Sequence, residues 1–166
     1  DSAAKLLSKA KFPVILSGAG VVLGGAINEC KKLAEKLDAP VCNGYQHNDS
    51  FPGSHPLAVG PLGYNGSKAA MELISKADVV LALGTRLNPF STLPGYGIDY
   101  WPKNATIIQV DMNPDRIGLT KKVTVGICGD SKQVAQQIID KLSVDAGDTG
   151  REAVSYTHLR AHETHE

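Results

Sequence analysis

Four apolar runs, each closed by a turn containing glycine or aspartate, constrain the fold of this chain more than any other feature. They are Pro13–Gly20 (PVILSGAG), Asp78–Arg86 (DVVLALGTR), Thr106–Asn113 (TIIQVDMN) and Val123–Asp130 (VTVGICGD). Apolar runs of this kind are typical of parallel strands buried on both faces. In an open α/β sheet, ligands bind where the carboxyl ends of such strands meet the N-termini of helices. The runs therefore predict a crevice for a nucleotide or a similar cofactor at one edge of a parallel sheet.

Helical periodicity appears between these runs, most clearly over Gly25–Leu37. Alternating strands and helices imply right-handed crossovers and a sheet covered on both faces. We therefore expect an α/β protein with three layers (α/β/α) and a Rossmann-like parallel sheet of five or six strands in the order 3-2-1-4-5-6. The predicted strands are Val14–Ser17, Val41–Cys42, Leu57–Val59, Asp78–Leu83, Thr106–Val110 and Val123–Ile127, and the predicted helices are Ala3–Ala10, Gly25–Leu37, Ser67–Lys76 and Ser131–Leu142.

The composition fits one globular domain and excludes two classes of partner. Of the 166 residues, 42% are apolar and 20% are charged. The 17 basic and 17 acidic side chains balance, so the chain lacks the basic stripe that binds nucleic acid. No apolar run approaches the roughly 18 to 20 residues of a membrane span. Three cysteines without paired spacing, Cys30, Cys42 and Cys128, predict small reduced core residues in a cytoplasmic protein.

The two ends of the chain differ in character from its middle. The chain starts at Asp1 and enters an amphipathic segment almost at once, which indicates a piece of a longer polypeptide. Residues 1–142 are expected to form the domain and residues 143–152 to begin a linker. Residues 153–166 hold His158, His162 and His165, whose spacing could place a metal on one helix face. We favour the alternative, a non-native or disordered tail.

The glycine turn after the first run resembles the dinucleotide-binding fingerprint but departs from it at one position. Leu23 stands where the third glycine of that motif belongs, after Gly18 and Gly20. The second predicted strand ends in Cys42 and Asn43, so no acidic residue is placed to hold a ribose hydroxyl. A standard NAD site is therefore not expected, and the turn is either tolerant of a phosphate or a bare tight turn.

Polar residues follow the later runs, and each has two interpretations. Gly84 and Thr85 would let a ligand approach the backbone, and Arg86 would either bind phosphate or contact a neighbouring loop. Asp111 would accept hydrogen bonds from a ribose or adenine edge, or cap the turn that follows it. Gly129 precedes Asp130, which is more typical of a helix N-cap than of a ligand site.

The remaining polar residues give no catalytic constellation. His47 and His55 lie in a polar loop near Asp49, and loop hydrogen bonding is the expected role of both histidines. The sequence has no nucleophile motif and no pair of carboxylates placed for acid–base work. The chain's own residues therefore predict a binding crevice, no catalytic residue and no metal site.

Several segments together resemble the central domain of thiamine-diphosphate-dependent enzymes of the acetohydroxyacid synthase group. They are LAEKLDAPV (Leu33–Val41), ADVVLALGTRL (Ala77–Leu87), IIQVDMNPDRIG (Ile107–Gly118) and the late Gly129–Asp130. The resemblance runs from about Phe12 to Glu152. The loop-rich stretch Gly44–Pro102 narrows it to the acyl-transferring branch of the group.

This resemblance implies a longer protein that binds thiamine diphosphate and Mg²⁺ in domains on either side of this one. The activating glutamate would belong to the preceding domain and the diphosphate–magnesium motif to the following one, so the chain alone is expected to be inactive. Its partners would be its own N- and C-terminal catalytic domains, in a homodimer or homotetramer. The reaction implied for the acyl-transferring branch cleaves a sulfonated aldehyde with phosphate, giving sulfite and acetyl phosphate.

The resemblance also implies a role for the crevice, because relatives hold FAD or an adenine nucleotide there. The acyl-transferring branch is not expected to need FAD, so a vestigial crevice is the alternative to a site for FAD, ADP or CoA. Two further alternatives are a relative of acetolactate synthase or oxalyl-CoA decarboxylase, and a stand-alone module that binds FAD, ADP or CoA. The matching positions in this chain are Gly18, Gly20, Gly84, Thr85, Arg86, Asp111, Gly129 and Asp130.

Overall fold

Six parallel strands form a single sheet. They are β1 (Pro13–Ser17), β2 (Val41–Asn43), β3 (Ala58–Pro61), β4 (Val79–Leu83), β5 (Thr106–Asp111) and β6 (Val125–Cys128). Their order is β3-β2-β1-β4-β5-β6, and every neighbouring pair is parallel. This computed structural model describes residues 2–44, 51–62, 67–87, 100–119, 121–143 and 149–163. The predicted fold class, with six strands in the order 3-2-1-4-5-6, is confirmed.

Six α-helices surround the sheet in the described part of the chain. They are α1 (Ser2–Lys9), α2 (Ala19–Leu23), α3 (Ile27–Leu37), α4 (Lys68–Ile74), α5 (Ser131–Lys141) and α6 (Thr149–Glu163). The bounds of α1, α3, α4 and α5 lie within a few residues of the prediction. Helices α2 and α6 were not predicted, and a 3-10 turn at Pro114–Arg116 follows β5.

The sheet separates two apolar cores, because successive strand residues point to opposite faces. One core joins Ile15 and Leu81 to apolar residues of α1, α3 and α5. The other joins Val14 and Val80 to α4, and also contains Tyr100. All five residues of β1 and all five of β4 are buried, as expected for central strands covered on both sides. This arrangement is the three-layer architecture that the apolar runs predict.

The end of the chain is helical where the structure describes it. Helix α6 runs through the predicted boundary between linker and tail, and its Val154 is 3% exposed in the core that contains α4. This differs from the expectation of a tail without structure. The non-native origin of residues 153–166 stays a prediction, as does the division of the chain at residues 142 and 152. The side chains of His158, His162 and His165 lie outside the described part of the chain.

The three cysteines do not share one environment. Cys30 and Cys42 are fully buried, as predicted, whereas Cys128 is exposed at the end of edge strand β6. The prediction that all three are core residues is therefore wrong for Cys128, because β6 has only one neighbouring strand and its alternate residues face solvent. Burial raises the pKa of Cys30 and of Cys42 to about 12.

These environments predict one reactive thiol in the native chain. At pH 8, the exposed Cys128 should react with iodoacetamide, while Cys30 and Cys42 should react at least about a thousandfold more slowly, because both are buried and so little of each is thiolate. Mass spectrometry of digested samples would measure the three rates. All three thiols should react alike in guanidinium chloride. Rapid native labelling of Cys30 or Cys42 would contradict the described packing.

No helix among the described residues is long and apolar enough to cross a bilayer.

Candidate functional site

The turns that follow β1 and β4 lie in direct contact at the carboxyl edge of the sheet. The amide of Gly20 donates a hydrogen bond to the carbonyl of Gly84, with an N···O distance of 2.8 Å. The amide of Gly18 donates to the carbonyl of Leu83 at 3.1 Å, so the β1 turn continues along β4. Gly84 has a φ of +66°, a conformation that glycine adopts without strain. The structure therefore brings the predicted glycines of the two runs together.

A side chain at any of these three glycines would overlap other atoms of the protein. A methyl group added at Gly84 would lie 2.8 Å from each of three atoms: the Cα of Gly20, the Oγ of Ser131 and the amide nitrogen of Val21. One added at Gly20 would lie 2.7 Å from the Cα of Gly84. One added at Gly18 would lie 2.6 Å from the Cβ of Thr85. The glycines thus allow the two turns to pack closely.

Two hydroxyl-bearing residues pack against the contact between the β1 and β4 turns. Ser131, the first residue of α5, is 3% exposed and lies against Gly20 and Gly84. Thr85 is 8% exposed, and its Oγ1 accepts a hydrogen bond from the amide of Leu87 at 3.1 Å. Leu87 has a φ of +56°, so the Thr85 hydroxyl stabilises a turn that a leucine rarely adopts. Sequence reasoning treated Ser131 only as a helix start, and no motif would have placed it in this contact.

Both predicted carboxylates are engaged in local structure. Asp130 is the N-cap of α5, and its Oδ2 accepts from the amide of Gln133 at 3.1 Å. Asp111 is 9% exposed, and its Oδ1 accepts from the amide of Asn113 at 2.8 Å. Its backbone carbonyl also accepts from the amide of Gly129. Each carboxylate makes the local hydrogen bond that its structural interpretation requires, and a ligand-binding role for either stays a prediction.

A buried glutamine that sequence reasoning missed joins three segments near this edge. Gln109 lies in β5 and is 1% exposed. Its Nε2 donates to the carbonyls of Thr85 and Arg116, at 3.1 and 3.3 Å, and its Oε1 accepts from the amide of Gly118 at 2.9 Å. The side chain of Arg86 next to this turn is exposed. A polar residue inside the apolar run TIIQVD was the available signal, since a buried amide needs partners.

His55 forms the loop hydrogen bonds that the sequence predicts for it. His55 accepts a hydrogen bond from the amide of Leu57 at its Nδ1, and its Nε2 lies 2.9 Å from the Oε1 of Glu35. The hydrogen bond from His55 holds the pKa of the Glu35 carboxyl below its usual range. His47 and Asp49 lie outside the described residues. No group of three or more His, Cys, Asp or Glu side chains in the described ranges could hold a metal ion.

Similarity to known proteins defines the class of protein. The chain belongs to the family of the central domain of thiamine pyrophosphate enzymes, whose model matches residues 1–138. A solved structure of a protein assigned as a thiamin diphosphate-dependent enzyme from Mycobacterium smegmatis superposes with a TM-score of 0.70 at 25% sequence identity. That match covers 87% of this chain and 27% of the other.

Curated relatives of high sequence identity narrow the class further. A "Probable sulfoacetaldehyde acetyltransferase" from Rhizobium meliloti is 83% identical over 150 residues, and a sulfoacetaldehyde acetyltransferase from Roseovarius nubinhibens is 78% identical over 152 residues. These alignments cover 90% and 92% of this chain but only 25% of each relative. A "Probable acetolactate synthase large subunit" from Methanocaldococcus jannaschii is 39% identical over 140 residues, 84% of this chain and 23% of that protein. The chain thus spans about a quarter of the length of its curated relatives.

Proposed function

We propose that this chain is the central domain of a thiamine-diphosphate-dependent sulfoacetaldehyde acetyltransferase. The observation that carries this proposal is a difference in sequence identity. The chain is 83% and 78% identical to two relatives of that name, but only 39% identical to an acetolactate synthase relative. The reaction joins sulfoacetaldehyde and phosphate to give acetyl phosphate and sulfite. Thiamine diphosphate with Mg²⁺ would supply the nucleophilic carbon for this reaction, bound by domains on either side of this one.

Within that protein, the domain would act as a non-catalytic scaffold. Gly20 and Gly84 are in direct backbone contact, and Asp111 and Asp130 accept hydrogen bonds from nearby backbone amides. These contacts support a structural role for the crevice residues. The whole protein would be a cytoplasmic homodimer or homotetramer that presents its catalytic domains around this scaffold.

The test is product formation by the intact protein of which this chain is a part. We expect equal amounts of sulfite and acetyl phosphate from sulfoacetaldehyde, with a requirement for phosphate and for thiamine diphosphate. The 166-residue chain alone should release no sulfite. Formation of acetolactate from pyruvate, or decarboxylation of oxalyl-CoA, without sulfite release would instead assign the protein to one of those two enzyme classes.

A second candidate function is nucleotide binding at the same crevice. The observation in its favour is the exposed Arg86, which follows Gly84 and Thr85 at the carboxyl edge of the sheet. A ligand at 100 times its Kd would raise the free energy of unfolding by about 2.7 kcal/mol. Thermal melts of the chain with FAD, ADP and CoA measure this directly. The scaffold role predicts no saturable shift, whereas a saturable rise with one of the three would establish a site.

A further inference from the structure

Asp38 occupies a backbone position at which an aspartate is unusual. It is the C-cap of α3 and has a φ of 51° and a ψ of 46°, in the left-handed region. Glycine, and less often asparagine, is the common residue at the left-handed position that ends a helix. Asp38 is also only 5% exposed, and burial of an unpaired carboxylate is costly. Both features suggest that the side chain has a function beyond ending the helix.

The carboxylate of Asp38 contacts the first turn of α6, more than a hundred residues later in the chain. Its Oδ2 accepts a hydrogen bond from the amide of Gly150 at 2.6 Å. Its Oδ1 has no hydrogen-bond partner among the described residues and lies 3.5 Å from the Nε of Arg151. A carboxylate at the N-terminus of a helix satisfies a free amide and interacts favourably with the helix dipole. Asp38 therefore acts as an N-cap supplied by a distant part of the chain.

Gly150 fits this contact because it has no side chain. A methyl group added there would overlap the backbone carbonyl oxygen of Asp38. The turn of α6 that follows Gly150 also packs against the domain, since Val154 is 3% exposed and Ala153 packs against the core containing α4. Two independent features, the buried carboxylate and the close backbone approach, thus meet at the same point.

We propose that Asp38 is the anchor for the segment that leaves this domain. The anchor binds the first turn of α6 through the amide of Gly150 and the guanidinium of Arg151, and so fixes the start of α6 beside the end of α3. This rests on the proposed function only in that residues 149–152, which precede the predicted non-native tail, would lead toward the following catalytic domain. In that setting, Asp38 is a positioning residue and does not touch substrate or cofactor.

Hydrogen–deuterium exchange of the 166-residue chain tests the anchor without any assay of catalysis. Asp38→Gly keeps the left-handed backbone and removes the carboxylate, so protection of the amides of residues 151–157 should fall by about tenfold or more while β1 and β4 stay protected. Asp38→Asn keeps an acceptor oxygen and loses the charge, so its loss of protection should be smaller. Protection of residues 151–157 within twofold of wild type in Asp38→Gly would overturn the proposal.

If Asp38→Gly unfolds the whole chain, a substitution in α6 still tests the proposal. Gly150→Ala leaves α3 unchanged and should release residues 151–157 to a similar extent. Gly53→Ala is the matched control, because a methyl group there has no neighbour within 4 Å, and it should leave the exchange pattern unchanged. Unchanged protection of residues 151–157 in Gly150→Ala would overturn the proposal. A failure of sulfite release by the intact protein would bear on the proposed function and would leave these exchange results standing.

Discussion

Replacement of Gly84 by alanine should lower the free energy of unfolding by about 2 to 5 kcal/mol. The left-handed φ of +66° costs a non-glycine residue about 1 to 2 kcal/mol. The added methyl group would also lie 2.8 Å from the backbone of Gly20 and Val21, and such overpacking costs about 1 to 3 kcal/mol. Urea denaturation followed by circular dichroism would measure the change, and the Tm should fall by about 5 to 15 °C.

Gly25→Ala is the matched control for this experiment. Gly25 has nearly the same φ, +65°, but a methyl group added there has no neighbour within 4 Å. Its cost should therefore be the backbone contribution alone, about 1 to 2 kcal/mol. The difference between the two variants isolates the contact between the β1 and β4 turns. Equal losses in Gly84→Ala and Gly25→Ala would show that these turns do not pack together as described.

Replacement of Gln109 by leucine should lower the free energy of unfolding by about 2 to 4 kcal/mol. The change removes three hydrogen bonds and leaves the carbonyls of Thr85 and Arg116 and the amide of Gly118 without this partner. Each lost bond costs about 1 kcal/mol net, and more where the remaining group stays buried. Urea denaturation would again measure the change.

Gln137→Leu controls for the chemical change itself. Gln137 is exposed on α5, so the same replacement there should alter the free energy of unfolding by no more than about 0.5 kcal/mol. If the two leucine variants are equally stable, the amide of Gln109 does not join these segments, and the described hydrogen bonds are wrong.

The sheet could be predicted from the sequence because its central strands are buried on both faces. The runs at β1 and β4 consist almost entirely of apolar residues, and burial on both faces selects that pattern. Helix α2 could not be predicted in the same way. Its sequence AGVVL contains two β-branched residues and lies inside the glycine turn, and it packs through the close approach of Gly20 to Gly84. Tertiary contact overrides local propensity there.

The roles of the polar residues at the sheet edge depended on partners that the sequence does not reveal. Asp111 and Asp130 stand where a ligand-binding carboxylate would stand, and the structure adds that each accepts a hydrogen bond from a nearby amide. Gln109 was overlooked because its three partners come from two other segments. Asp38 and Gly150 meet across most of the chain, a pairing that no local pattern encodes.

The most direct test of the proposed function is an exchange of domains. The 152 aligned residues of this chain would replace their counterparts in the sulfoacetaldehyde acetyltransferase of Roseovarius nubinhibens, which shares 78% identity over that length. The chimera should release sulfite from sulfoacetaldehyde at a rate comparable to that of the unmodified enzyme. A chimera that folds with the Tm of the unmodified enzyme but releases no sulfite would contradict the assignment of this chain as the central domain of such an enzyme.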